Sequence, residues 1–220
     1  MSLEFLAETE MPEQKQRVEQ FKGLETDINL ECAEIYSLAA GSDLAAGTPE
    51  KDLENWHMQS ETNSCAVCCQ EFVAEQLLGQ EFSEEKMTKF AKEQGWYHPE
   101  TGTTISDTGK LLEAAGLEVK RESNQTLSDM FRELEQGHKI IAGVNNSILD
   151  NPEFAKLPGI QANHVVEVIG IDYSNPEIVQ VILNDSGVPD GRGRLVSADT
   201  FAKAWDTSNR FMVTAWKGDK

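Results

Sequence analysis

The chain has 220 residues, 39% of them apolar and 26% charged, which is enough to bury one substantial core and fits one domain plus an extension. Its formal net charge of -19 argues against nucleic acid or an anionic membrane surface as a partner, because such binding is built on Lys and Arg neutralising phosphates. The charge reads instead as a solvated acidic surface that would attract a basic peptide.

The first residues, Met1-Ser2-Leu3-Glu4-Phe5-Leu6-Ala7-Glu8, lack the basic and apolar segments of a secretory signal, and no run approaches the ~18 apolar residues of a membrane span. A cytoplasmic protein is expected, or one exported without a cleaved signal, with no membrane insertion. Of the four cysteines, three crowd into Cys65 to Cys69, unlike the spaced framework of a disulfide-stapled secreted domain.

Residues 1–50 are rich in Glu, contain no tryptophan, and include an amphipathic pattern from Pro12 to Leu24 with Val18, Phe21 and Leu24 at three-residue spacing. The small-residue stretch Ala39 to Pro49 follows, and the spacing predicts an acidic extension and linker over 1–50 joined to a domain over 51–220. Helices are then predicted at Cys65 to Leu78, at Ser83 to Gln94 with Ser83 as N-cap, at Ile105 to Ala115 closing on Gly116, and at Ser128 to Gln136 closing on Gly137. Strands follow at Ile140 to Val144, His164 to Ile171, Ile178 to Leu183 and Arg210 to Trp216, with one helix at Ala198 to Trp205 between the last two. The turn residues 173–177 join two of these strands as an antiparallel hairpin. Helices first and an antiparallel sheet second is the α+β pattern.

Chemistry concentrates at Cys65, six positions after Gln59 and at the start of a helical run. A helix N-terminus offers unpaired N–H groups and partial positive charge, so a cysteine there can be held as a thiolate, and an upstream Gln can donate to the oxyanion formed when it attacks a carbonyl. If the strands on either side of the 173–177 turn pair, His164 at the start of one and Asp185 just past the end of the other meet at the same sheet edge. An imidazole bonded through one nitrogen to a carboxylate or amide is held in the right tautomer to take a proton from a thiol. Adjacent strand residues face opposite ways, so either Asn184 or Asp185 can point at His164, with Asp185 preferred.

This order of residues, Gln59, Cys65 at a helix start, His164 in Asn163-His164-Val165-Val166 and Asp185 in Ile182-Leu183-Asn184-Asp185-Ser186, resembles the papain-like cysteine peptidases over roughly Trp56 to Trp216. It is similar in particular to the bacterial branch that includes the double-glycine leader peptidases of bacteriocin exporters. The resemblance implies a papain-like α+β fold and a cofactor-free cysteine peptidase acting on a peptide or protein. It assigns Cys65 as nucleophile, His164 as base, Asp185 as orienter and Gln59 to the oxyanion site. The chain departs from that family's Asp-Cys-Gly-Pro-type segment and terminal Asp-Pro, having Ser64-Cys65-Ala66-Val67 and Asp185-Ser186. Nothing in it resembles the membrane and ATPase domains of the exporters, which fits a stand-alone peptidase. The same constellation serves amide transfer and deamidation, and an inactive relative would keep the fold as a protein-binding module.

Other readings of these residues are weaker. Cys65, Cys68 and Cys69 share a helical face and with Cys32 or His57 would make four soft ligands, yet structural zinc sites usually gather ligands from two separated knuckles. Cys69, Phe72, Val73 and Leu77 form an apolar stripe instead, so Cys68 and Cys69 are expected as core thiols. His57 is expected at the surface, and His98 and His138 in turns. Gly187 to Arg194 is expected to be a flexible loop beside the site rather than a phosphate cradle, since it lacks the strand-loop-helix context and a P-loop Lys. Trp56, Trp96, Trp205 and Trp216 are read as core anchors or cleft walls.

Overall fold

The computed structural model describes residues 28–38, 45–175 and 178–218. The expected Pro12 to Leu24 helix lies outside them. Residues 28–38 are helical (α1). Then come β1 (Ala45–Gly47), α2 (Pro49–Asp52), α3 (Cys65–Leu78), α4 (Glu84–Glu93), α5 (Lys110–Ala114), β2 (Glu118–Glu122) and α6 (Leu127–Glu135). The second half holds β3 (Lys139–Val144), α7 (Asn146–Asp150), β4 (His164–Asp172), β5 (Gln180–Asn184), β6 (Arg192–Ser197), α8 (Ala198–Asp206) and β7 (Met212–Trp216). The strands form one antiparallel sheet in the order β2-β7-β3-β4-β5-β6, with β1 added on β4. Among the described residues no helix is long and apolar enough to cross a membrane.

Two apolar layers cover the sheet, which makes the molecule α+β. On one face Ile140, Ala142, Val144, Val166 and Val168 meet Leu127 and Met130 of α6 and Phe201 and Trp205 of α8. On the other, Ile141, Val213 and Ala215 meet Cys69, Val73 and Ala74 of α3. Alternate residues of β3 serve opposite layers, as the pleat requires. Central β4 is covered on both faces, so its sequence runs almost unbroken in β-branched residues and is buried from Val166 to Ile171. Helix α3 is buried from Ala66 to Ala74 because α4 and α5 cover the side away from the sheet. Gln70 fixes that cover by accepting from the Gly109 and Leu111 N–H groups at 2.9 and 3.0 Å.

Helices α1, α2 and α7 were not expected from the sequence, and four further elements depart from its reading. The helix expected at Ile105 to Ala115 begins only at Lys110, because Thr104, Asp107 and Thr108 bond among themselves, with Thr104 Oγ1 donating to Asp107 Oδ2 at 2.6 Å. The expected linker contains a strand: β1 pairs Ala45, Ala46 and Gly47 with Asp172, Ile171 and Gly170. Its residues are small because the backbones nearly touch; Gly47 stands at φ +85°, and a Cβ there would lie 2.4 Å from the Ile169 carbonyl oxygen. Edge strand β2, Glu-Val-Lys-Arg-Glu, is too charged to read as a strand, although charge suits an edge. The supposed flexible loop ends inside β6, where Arg192 and Arg194 pair with Asn184 and Leu183. Ahead of β1, Ile28 and Ile35 reach the core, and Glu31 accepts from the Leu127 N–H at 2.7 Å and from Arg210 at 2.6 Å.

Beneath α3 lies a buried polar group. Lys139 Nζ donates to Asp52 Oδ1 at 2.7 Å and to Thr48 Oγ1 at 2.7 Å, while Asn184 Nδ2 donates to Glu167 Oε2 at 2.8 Å and to the Asp52 carbonyl at 3.0 Å. Among the described residues, Glu167 Oε1 and both polar atoms of the Gln76 amide are buried without a hydrogen-bond partner within bonding geometry. Burial, with the negative Asp52 nearby, pushes the Glu167 carboxyl from 4.5 up to about 8. At neutral pH it is therefore protonated when folded and ionised when unfolded, so the unfolded state binds fewer protons and stability declines as pH rises from about 4.5 through 8. Glu167→Gln keeps the acceptor for Asn184 and removes this loss. The variant is expected to be more stable at pH 7 by roughly 2–3 kcal/mol in denaturant melts, with the gain vanishing near pH 4. A less stable variant at pH 7 would contradict the neutral buried acid.

Candidate active site

Helix α3 starts when the Ser64 carbonyl accepts from the N–H groups of Val67 and Cys68, at 2.8 and 2.9 Å. Cys65 and Ala66 at the helix start are left without intrahelical acceptors, at the positive end of the helix dipole. Cys65 is half-buried, with the Ala66 and Val165 N–H groups near its sulfur, where they favour the thiolate.

His164 opens β4, and its ring faces the Cys65 thiol, whose charge it stabilises. Its Nε2 lies 2.7 Å from Asp185 Oδ1, with the two side chains 10% and 1% exposed, which leaves Nδ1 for the thiol. Asp185 follows β5 and is held on every side. Oδ1 also accepts from the Gly187 N–H at 2.9 Å, Oδ2 accepts from Arg194 Nη1 at 3.2 Å, and the Asp185 carbonyl accepts from Trp56 Nε1 at 2.9 Å. Residue 187 must be Gly, since a Cβ there would lie 2.8 Å from His164 Cε1. Of the two candidates for third member, Asp185 meets His164, whereas Asn184 sits opposite Glu167 in the sheet and bonds to it.

The electrostatics of the three groups are mutual. Burial pushes the Cys65 thiol up, but the hydrogen bond and charge of His164, with the N–H donors of Val165 and Ala66, outweigh it and hold the thiol below its ordinary value. Burial pushes His164 down, and its bonds to Asp185 and Cys65 raise it above the usual imidazole range. Asp185, which burial alone would raise, is held below the ordinary carboxylate value by His164, the Gly187 N–H and Arg194. All three directions favour a thiolate beside an imidazolium at neutral pH.

Gln59 lies alongside. Its N–H donates to the Ser186 carbonyl at 2.9 Å and its Oε1 accepts from Ser186 Oγ at 3.3 Å, which sets it next to the residue after Asp185. Its Nε2 donates to the Glu61 carbonyl at 3.1 Å, and an amide nitrogen keeps a second N–H for another acceptor.

The four thiols diverge rather than converge. Cys69 Sγ donates to the Val165 carbonyl at 3.5 Å, fully buried Cys68 faces Glu84, and Cys32 sits on α1. Burial, with Glu84 and Glu71 beside it, holds Cys68 as the neutral thiol. His57, Cys68 and Glu84 bring ligand-type atoms within 4.8 Å of one another, but those of His57 and Glu84 already have partners. His57 contacts the Met58 carbonyl and Glu71 Oε2, each at 3.1 Å, and Glu84 is saturated by the backbone and hydroxyls of the 60–64 loop. His98 bridges to Gly102, and His138 stacks on Trp216, both away from Cys65. A cavity of about 530 Å³ lined by Phe82, Met87, Phe90 and Leu111 lies between α4 and α5, and none of its lining residues belongs to this constellation.

Sequence reasoning missed the roles of Arg194 and Glu84, and it read Trp56 as a core anchor or cleft wall without its bond to the Asp185 carbonyl. Arg194 stands in a Gly-rich stretch and Trp56 in a short irregular segment, where no periodicity marks a contact. Glu84 carried one signal, an acidic residue in the first turn of an expected helix, but that signal has a sufficient local explanation in the helix dipole.

No family model matches the chain. Uncharacterized proteins of Mycobacterium tuberculosis and Mycobacterium bovis are each 30% identical to it over 215 aligned residues, covering 82% of this chain and 90% of theirs. Among solved structures, a C39-like peptidase from Bacillus anthracis superposes with a TM-score of 0.59 at 14% identity, over 81% of this chain and 100% of that one. The peptidase domain of Streptococcus ComA, a bi-functional ABC transporter, gives 0.52 at 16% identity over 74% and 98%. The Amb a 11 cysteine protease of ragweed pollen, in its proform, gives 0.51 at 11% identity over 80% and 66%. The shared fold is that of papain-like and C39-like peptidases.

Proposed function

We propose, for a chain that belongs to one family with the uncharacterized mycobacterial proteins and has the fold of C39-like peptidases, that it is a cysteine peptidase using Cys65, His164 and Asp185. The observation that carries this reading is the juxtaposition of a helix-start thiol with His164, which is itself hydrogen-bonded at 2.7 Å to a buried, ionised Asp185. The Cys65 thiolate attacks the carbonyl carbon of a peptide bond. The resulting oxyanion is met by the Cys65 N–H and by the Gln59 side chain. The His164 imidazolium gives its proton to the leaving amine, the C–N bond breaks, and a thioester remains on Cys65. His164, now neutral, takes a proton from water; the hydroxide attacks the thioester and releases the acid and the thiolate. Asp185 keeps the imidazole in its tautomer and stabilises the imidazolium. No step calls for a cofactor.

The substrate class is a peptide or an accessible protein segment, and the formal net charge of -19 favours a cationic one. The test is incubation with a proteome-derived peptide library, read by mass spectrometry for new termini. New termini that depend on Cys65 are expected. Side-chain amide-to-acid conversion without backbone cleavage would move the reading to deamidation by the same residues, and no reaction of either kind would contradict it.

A further inference from the structure

The loop from Gln59 to Cys65 carries both donors of the oxyanion site, and one side chain from a different element grips it. Resting on the acyl-transfer reading above, we propose that Glu84 is the positioning residue of the oxyanion site: its carboxylate ties the residue after Gln59 to the residue before Cys65. Ser60 N–H donates to Glu84 Oε2 at 2.9 Å and Ser60 Oγ to the same oxygen at 2.8 Å. Glu61 N–H donates to Oε1 at 3.1 Å, and Ser64 Oγ lies 2.8 Å from Oε1. The two oxygens thus span both ends of the loop.

The clamp is rigid. Glu84 is the first residue of α4, and it is 7% exposed. Met87 and Ala91 of α4 pack with Val67 of α3 and with Tyr97 in one apolar cluster, so the carboxylate is fixed relative to the nucleophile helix. The outer side of the loop is tied separately, by Tyr97 Oη donating to the Thr62 carbonyl and Asn63 Nδ2 to the Pro99 carbonyl, each at 2.8 Å. His57 Nδ1 stands 4.0 Å from Glu84 Oε2 on the open side of the clamp.

The consequence for chemistry is geometric. Two donors stabilise an oxyanion only if both reach one point, and misplacing one of them by about 1 Å costs on the order of 100-fold in rate. Without the carboxylate, the N–H groups of Ser60 and Glu61 lose their acceptor, and the loop must turn to find water. Gln59 would turn with it. Attack at an sp³ carbon forms no oxyanion, so it should not register the change.

The experiment compares two reagents at Cys65: p-nitrophenyl acetate, whose acyl transfer passes through an oxyanion, and iodoacetamide, whose displacement does not. Glu84→Gln places an amide against two N–H donors. It is expected to slow acetylation by roughly 10–100-fold while iodoacetamide alkylation stays within about twofold. Ser64→Ala cuts the tie beside Cys65 together with the Ser64 Oγ bond to the Glu61 carbonyl in the same loop, and because the Ser64 side chain does not cap α3 the helix start is kept; a smaller loss with the same selectivity is expected. This second variant decides the matter if Glu84→Gln does not fold. Unchanged acetylation in a folded variant, or equal losses with both reagents, would overturn the positioning role. Wild-type acetylation no faster than that of Cys65→Ala would instead overturn the peptidase reading, and this inference with it.

Discussion

Cys65→Ala is expected to abolish cleavage of every peptide the wild type cuts, a loss on the order of 10⁴- to 10⁶-fold, with the folding transition little changed. The thiol is half-buried at the first position of α3 and faces His164 rather than filling the core. Alanine suits a helix start of this kind, so the fold should tolerate it. The neighbouring thiols should behave in the opposite way. Cys68 and Cys69 are fully buried, and truncating either leaves a small cavity costing about 1–2 kcal/mol with the chemistry retained. Peptide mass spectrometry of cleavage and a urea melt on the three variants separate the two behaviours. Cleavage by Cys65→Ala at the wild-type rate would remove the nucleophile from the account.

Asp185→Ala is expected to lower the rate by roughly 10²- to 10³-fold, less than loss of the thiol, because a thiolate keeps some reactivity beside a poorly held base. The sign of the pH effect follows from the same contacts. Asp185 raises His164, and the resulting imidazolium lowers Cys65. Without Asp185 the imidazole falls toward its ordinary value and the thiol rises, so the acid limb of the rate profile should move to higher pH. Asn184→Ala should instead lower stability, since Glu167 and the Asp52 carbonyl lose the same donor, and it should leave the profile in place. A larger rate loss from Asn184→Ala than from Asp185→Ala would reverse the assignment of the third member.

How much of this was legible in the sequence depended on whether an element carries its own signal. Helix α3 runs over the residues its apolar pattern predicts, and β4 differs from expectation by one residue, because both are buried and their patterns record it. The edge strands β2 and β6 are charged, and β1 is three small residues, so none carries the alternation of a half-buried strand. The side toward which Asp185 points was open for a different reason. The pleat sends Asn184 and Asp185 to opposite faces, but their absolute direction depends on register shifts between Val168 and Gly170 and between Leu183 and Asn184. Likewise, the contacts of Glu84 with Ser60 and Ser64 span 24 and 20 residues, and no local spacing announces them.

The most direct test of the account is the pH dependence of alkylation by iodoacetamide, with the labelled cysteine identified by peptide mass spectrometry, in wild type and in His164→Ala. A thiol held low by an imidazolium is ionised above its lowered value and loses reactivity only as pH falls through that value. Cys65 is predicted to be labelled first and to keep its reactivity to lower pH in wild type than in His164→Ala, where its rate rises only as pH approaches the ordinary thiol value of about 8.5. First labelling at Cys32, which burial pushes up to about 11, or the same Cys65 profile in both proteins, would contradict it.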